Sequence, residues 1–298
     1  METLSRLKLL VCLMILSAGV LSDGYVFAGQ KENDFIEAAN SGDLKKVDHY
    51  LKELVNVNAR GANNITALIA ASNNGNGEIV KLLLSKGASP NLDDDDSKTP
   101  LMYAAGSGNT VIAEMLLSKG ANIKAKNKEG YTALMFAAAN NKVETARVLL
   151  EKGSNPNERN NITETALTLA IESSRKEMVA LLLSKGADPN IKITLDKYND
   201  EISPLMKACS TGNLDIARLL IDKGANVNAR TNKNETPLIC AVKNGSAEVT
   251  AMLIDKGADA NVRNNDGKTA LMLAKEKGAL QIVKLLKNAG AKKERPSP

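Results

Sequence analysis

Apolar and small residues recur along the chain in a pattern with a period of 33 residues. One copy reads TPLMYAAGSGN at residues 99–109, and close variants return as TALMFAAANNK and SPLMKACSTGN. A second apolar stripe follows at helical spacing, for example at Ile79, Leu83 and Leu84. The pattern predicts two short amphipathic helices in each copy, separated by polar turns.

A Thr or Ser opens each clear copy and is followed two positions later by Leu. Thr and Ser cap helix N-termini, and Pro, which follows in three copies, suits the first helical position. A glycine stands 21 residues after each opening, where it would end the second helix. Successive openings lie 33 residues apart, with one spacing of 38; they are Thr66, Thr99, Thr132, Thr165, Ser203, Thr236 and Thr269.

A degenerate first copy precedes Thr66. Counting back 33 residues places Phe35, Ala38, Ala39 and Gly42 at the matching positions. Eight copies then cover about residues 30–291. Because one such helix pair cannot bury its own apolar faces, we expect the copies to stack.

Two further motifs lie in phase with this period. Residues 130–134 read GYTAL, and residues 186–190 read GADPN. With these motifs the chain resembles the ankyrin-repeat family. The resemblance implies an all-α solenoid of about eight stacked ankyrin repeats, each a helix-turn-helix with a hairpin loop. We expect one repeat domain over residues 29–291, with a five-residue insertion near 191–202, and a disordered tail over 292–298.

Residues 1–28 have the three-part layout of a secretory signal peptide. A basic start and an apolar run from Leu9 to Leu21 precede a small-residue site that ends at Ala28. The run is short for a membrane span, which needs about 20 apolar residues. We expect cleavage between Ala28 and Gly29 and a periplasmic or secreted protein, with no membrane contact after cleavage. An uncleaved membrane anchor is the alternative. A bacterial origin is implied by such a leader on this family.

Composition argues against several classes of function. The 39 Lys and Arg against 34 Asp and Glu leave a net charge of +5 without a long basic run in the body, so nucleic acid is not the expected partner. His49 is the single histidine of the chain, so the sequence offers too few ligands for a zinc site and too few reactive groups for a catalytic site. Cys209 and Cys240 are either small core residues or, in an oxidising compartment, a disulfide. We expect no enzyme activity, metal or cofactor.

The resemblance implies a protein partner, bound at the hairpin tips and on the first helices. Aromatic residues often dominate such interfaces, although Tyr103 and Phe136 are equally suited to packing against the next helix. The run from Asp93 to Asp96 predicts a solvated acidic tip that would meet a basic partner surface. The candidate partner-binding residues are Tyr131, Tyr198, Tyr103, Phe136, Ile65, Ile162, Ile202, Asp95 and Asp96.

These observations predict a non-enzymatic, exported scaffold that presents a concave surface to a protein partner, as a monomer. Two alternatives keep the fold and change the setting. One is a secreted effector that captures a host protein, and the other is a scaffold held at a membrane by its N-terminal segment.

Overall fold

A computed structural model describes residues 29–194 and 201–291. Tyr198, the predicted signal peptide up to Ala28 and the predicted tail lie outside the described residues. Sixteen α-helices form eight consecutive pairs in the described part. They are α1 Gln30–Ser41, α2 Leu44–Lys52, α3 Ala67–Asn74, α4 Gly77–Ser85, α5 Pro100–Ser107, α6 Thr110–Ser118, α7 Ala133–Ala139, α8 Val143–Glu151, α9 Ala166–Glu172, α10 Lys176–Ser184, α11 Pro204–Ser210, α12 Leu214–Asp222, α13 Pro237–Asn244, α14 Ala247–Asp255, α15 Ala270–Glu276 and α16 Leu280–Asn288.

The helices belong to two compact units, unit 1 up to Ser154 and unit 2 from Asn155. Within each unit, the first helix of a pair packs against the first helices of neighbouring pairs and against its own second helix. Each unit is therefore an all-α repeat stack, and the predicted fold class is confirmed. None of the helices in the described part is long and apolar enough to cross a membrane.

The predicted helix starts are N-caps in the structure. The Thr66 hydroxyl accepts from the Ile69 N–H at 3.2 Å, and the Ser203 hydroxyl accepts from the Met206 N–H at 3.3 Å. The other five openings cap their helices in the same way. Each bond satisfies one of the backbone donors left without a partner at a helix start.

The core is thin and mostly aliphatic. Ala104 and Ala105 are fully buried in α5, which packs between α3 and α7. Leu101 and Leu116 are buried in the same copy, while Phe35 supplies a buried ring in the first copy. Small residues in the first helices allow close stacking, so the remaining aromatic rings are not needed to fill the core.

A buried polar residue organises five of the hairpin tips. Asp94 Oδ1 accepts from the N–H groups of Asp96 at 2.9 Å and Lys98 at 2.8 Å, and Asn127 Oδ1 accepts from the Tyr131 N–H at 2.7 Å. The prediction of a solvated acidic tip is therefore wrong at Asp94, which is buried. Burying a polar side chain is unfavourable unless it makes hydrogen bonds, so these bonds are what allow Asp94 and Asn127 to be buried. The same acceptor role falls to Asn160, Thr231 and Asn264.

Asparagine side chains join neighbouring copies. Asn91 Nδ2 donates to the Gly120 carbonyl at 3.0 Å, and Asn91 Oδ1 accepts from the Asn122 N–H at 2.7 Å. One amide thus satisfies a carbonyl and an N–H of the following copy. Equivalent pairs of bonds are made by Asn58, Asn157, Asn190 and Asn228.

The insertion forms a short antiparallel pair of strands in unit 2. Strand β1, Ile193–Thr194, pairs with β2, Glu201–Ile202. Ile193 and Ile202 are buried and pack in one cluster with Met206. Ile202 was predicted as a partner-binding residue, but strand pairing turns its side chain into the core, where a partner cannot contact it.

Candidate protein-binding surface

Three aromatic residues lie close together in unit 1, and we call Tyr103, Tyr131 and Phe136 the aromatic surface. Tyr103 lies in α5 and Phe136 in α7, while Tyr131 lies on the tip that precedes α7. All three side chains are half-buried. The fold therefore brings together the residues that the sequence placed in adjacent copies.

Tyr131 and Phe136 form a ring pair. Their centroids are 5.7 Å apart and their planes are inclined by 45°. This lies within the range in which aromatic rings attract one another beyond simple burial. The backbone of Tyr131 is fixed on both sides, because its N–H donates to Asn127 Oδ1 and its carbonyl accepts from the Asn127 N–H at 3.0 Å. The tip thus presents the Tyr131 ring from an ordered backbone, in contact with Phe136.

Tyr103 is tied to the neighbouring tip by its hydroxyl. The hydroxyl donates to Asp94 Oδ2 at 2.6 Å, while the other oxygen of that carboxylate holds the tip backbone. Burial and the Asp94 carboxylate raise the pKa of the Tyr103 hydroxyl. The hydroxyl therefore has a structural role, and the ring remains half-buried at the surface.

The four consecutive aspartates have four separate environments. The Asp93 carbonyl accepts from Arg60 Nη1 at 2.7 Å, and Asp94 caps the tip. Asp95 accepts from the side chain of Asn64, and Asp96 pairs with Lys98 Nζ at 3.0 Å. The carboxylates of Asp95 and Asp96 stay exposed. The run therefore does not converge on a cation, and it leaves two carboxylates facing solvent.

Two grooves meet at Tyr103. The first, which we call the acidic groove, has a volume of about 330 Å³ and is lined by Asn63, Ile65, Asp94, Asp95, Asp96 and Tyr103. Three of its lining residues, Asp94, Asp95 and Asp96, carry carboxylates. Arg60 Nη2 lies 3.6 Å from Asp93 Oδ1, and Lys98 Nζ lies 3.0 Å from Asp96 Oδ2. The wall of the groove also contains Ile65 and the ring of Tyr103. This groove contains three of the tip residues predicted from the sequence.

The second groove, which we call the aromatic groove, has a volume of about 290 Å³. Tyr103 and Phe136 line it together with Met102 and Gly106, and Lys98 also contributes to its lining. Asn73, Ser107 and Asn140 complete the lining. Both volumes fall at or below the low end of small-molecule sites, so each groove suits a side chain of a partner rather than a cofactor.

Gly106 was missed by the sequence reasoning. It is the second-last residue of α5, and its φ is not positive. A Cβ there would lie 3.8 Å from Phe136 Cβ and 3.7 Å from Asn140 Nδ2, which are ordinary contacts. The fold therefore has no steric need for glycine at a position where it costs a helix about 0.5–1 kcal/mol relative to Ala. The equivalent residues of the other clear copies all carry side chains; they are Asn73, Ala139, Glu172, Ser210, Lys243 and Glu276.

The remaining predicted binding residues belong elsewhere. Ile162 is 63% exposed on a tip of unit 2, and Ile202 is buried in the same unit. Gly29 is the first described residue and directly precedes α1, while Ala28 and Tyr198 lie outside the described residues. The structure therefore brings together Ile65, Asp95, Asp96 and the aromatic surface, all within unit 1.

Reactive side chains in the described part are dispersed. His49 Nε2 lies 3.4 Å from Glu53 Oε1 on an exposed part of α2. Burial is the main reason that the pKa of the Cys209 thiol is raised, and no disulfide joins this residue to Cys240 in the described residues. Within residues 29–194 and 201–291, no group of three or more His, Cys, Asp and Glu could hold a metal ion.

Comparison with known proteins identifies the repeat. Residues 35–127, 123–193 and 194–264 each match a family model for ankyrin repeats in three copies, and residues 266–295 match a model for a single ankyrin repeat. These matches cover most of the chain. No curated protein sequence matches it.

Proposed function

The chain belongs to the ankyrin-repeat family, and on that premise we propose that it is an exported binding protein whose aromatic surface engages a protein partner. Ankyrin repeats are in general protein–protein interaction modules, and proteins built from them are typically non-enzymatic scaffolds. In our proposal the chain acts as a monomer and presents the first helices and tips of unit 1 as a concave surface.

One observation carries this proposal: three half-buried aromatic residues share one surface of unit 1. Aromatic side chains contribute disproportionately to binding energy at protein interfaces. The neighbouring tips are held by hydrogen bonds to the buried residues Asp94 and Asn127 before any partner arrives. A pre-ordered surface lowers the entropy lost on binding, because fewer side chains and loops must be fixed.

Export is the second part of the proposal. It is supported by the basic start, the short apolar run and the small-residue site that precede Gly29. The mature protein would then meet its partner in the periplasm or outside a bacterial cell. N-terminal sequencing of the protein from its producing cells should begin at Gly29. A retained Met1 would instead indicate an N-terminal membrane tether.

Partner capture tests the binding proposal. The wild-type chain, Tyr131→Ala and Tyr198→Ala are immobilised and exposed to periplasmic extract and, separately, to host-cell extract. We expect one protein to be retained stoichiometrically by the wild type and lost with Tyr131→Ala. Retention from the host extract alone would identify an effector. Unchanged retention by both variants would show that the binding surface is elsewhere.

A further inference from the structure

We propose that the two grooves beside Tyr103 recognise a linear segment of the partner that carries a basic side chain next to an apolar one. The basic side chain occupies the acidic groove, and the apolar side chain occupies the aromatic groove. This inference rests on the proposed function, since it specifies the chemistry of the partner at the same surface.

The acidic groove favours a Lys or Arg side chain. Asp95 and Asp96 are exposed, and they line the groove together with Asp94, while its lining contains no Lys or Arg. Ile65 and the ring of Tyr103 line the same groove, so they can cover the aliphatic stem while the carboxylates face the charged end. The Tyr103 ring also suits a guanidinium or ammonium group, which is attracted to an aromatic face.

The aromatic groove favours an apolar side chain. Tyr103, Phe136 and Met102 are the apolar residues of its lining, and the rings of the first two are only half-buried. The polar lining residues are Asn73, Lys98, Ser107 and Asn140. Gly106 contributes no side chain, and a Cβ at this position would meet only side-chain atoms, all at ordinary contact distances. The glycine therefore keeps space open between the two aromatic residues without any benefit to the helix.

Tyr103, which lines both grooves, explains why the basic and the apolar side chain must be neighbours in the partner segment. Tyr103 lines both grooves, and its hydroxyl is fixed to Asp94 Oδ2. The ring cannot turn away without breaking that bond, so it forms a fixed partition between the grooves. Neighbouring residues of an extended chain point to opposite sides, which suits one side chain on each side of a partition.

Selection from a random linear dodecapeptide library displayed on phage, with the full chain as bait, tests the proposal. We expect the selected peptides to share a Lys or Arg directly adjacent to a large apolar residue. Acidic consensus peptides, peptides without a basic residue, or no enriched peptide at all would overturn the proposal.

Variants then assign each half of the peptide. Gly106→Ala should weaken binding of a selected peptide by about tenfold or more, because the added methyl group takes up space beside Phe136 in the aromatic groove, while raising the urea midpoint of unfolding. Gly77→Ala, which adds a methyl group at the start of α4 with its nearest contact at Met115 Cε, 3.7 Å away, is the matched control and should leave binding unchanged. Equal affinity for Gly106→Ala and wild type would contradict an occupied aromatic groove.

The charge is tested in the same way. The double variant Asp95→Asn with Asp96→Asn should slow association and flatten the dependence of the association rate on salt. Glu114→Gln removes one exposed carboxylate from α6 in the same unit and should change neither quantity. If the double variant behaves like Glu114→Gln, the acidic groove has no role. If natural-partner capture still requires Tyr131 while these variants bind normally, the proposed function stands and this inference fails.

Discussion

Leu54 occupies a backbone conformation that every other described copy gives to glycine. It follows the end of α2 with φ +60°, whereas Gly87 and Gly120 take the same position with φ +87° and +85°. The Leu54 N–H donates to the Leu51 carbonyl at 3.3 Å, and the Val55 N–H donates to the Tyr50 carbonyl at 3.1 Å. These two bonds form the Schellman motif, in which the residue after the C-cap is left-handed.

The side chain of Leu54 gains nothing from this position, because it is 90% exposed. A left-handed conformation costs a residue with a Cβ about 1–2 kcal/mol. Glycine removes this cost but adds about 0.4–1 kcal/mol of unfolded-state entropy. Leu54→Gly should therefore stabilise the first copy by about 0.5–1 kcal/mol.

Hydrogen exchange at the α2 amides is the suitable assay, since a terminal copy of a repeat stack can open locally. The expected gain corresponds to about two- to fivefold slower exchange in α2 of Leu54→Gly. Leu54→Ala is the matched control, because it removes the exposed side chain and keeps the left-handed strain; its exchange should stay close to wild type. Equal protection in the Gly and Ala variants would refute the strain argument.

Three further predictions concern single side chains of unit 1. Ser72 Oγ is buried with no hydrogen-bond partner in the described structure, so Ser72→Ala should raise the free energy of unfolding by about 1 kcal/mol in urea titrations, and a decrease would show that the hydroxyl is satisfied. Asn91→Asp keeps the acceptor oxygen but loses the donor to the Gly120 carbonyl, so it should lower that free energy by about 1 kcal/mol; no change would show that this contact contributes little. Comparing wild type with Tyr103→Phe in an alkaline absorbance titration identifies the ionisation of Tyr103. Its pKa should lie above the usual tyrosine value of about 10, because burial and the Asp94 carboxylate raise it. The neutral Tyr103 hydroxyl contributes to the free energy of unfolding below pH about 10, and this contribution is lost as pH rises through the folded pKa. The free energy of unfolding should therefore fall less at alkaline pH in Tyr103→Phe than in wild type. A Tyr103 ionisation at or below pH about 10 would contradict this.

Local signals made the fold predictable. A hydroxyl at a helix start, such as Thr99, and an apolar stripe at helical spacing act over a few residues, and their 33-residue period multiplies the signal. The aromatic surface followed from the same register, since Tyr103 and Phe136 hold the same position in adjacent copies.

The burial of Asp94 and Ile202 could not be predicted from the sequence, because it depends on contacts that only the folded chain makes. Asp94 resembled its acidic neighbours, although it is buried and accepts hydrogen bonds from the tip backbone and Tyr103. Ile202 occupied a tip position in the repeat register, but the insertion paired it with Ile193 and buried it. Gly106 could have been found by comparing copies, because it alone lacks a side chain at its position in the register.

Site-specific photo-crosslinking in the producing cells shows whether the aromatic surface of unit 1 contacts a protein partner. A photoreactive phenylalanine derivative replaces Tyr131 in one variant and Val111, an exposed apolar residue of α6, in the control. We expect a covalent adduct with one partner protein from position 131 and none from position 111. An adduct from position 111 with none from position 131 would contradict a binding surface on the aromatic side of unit 1.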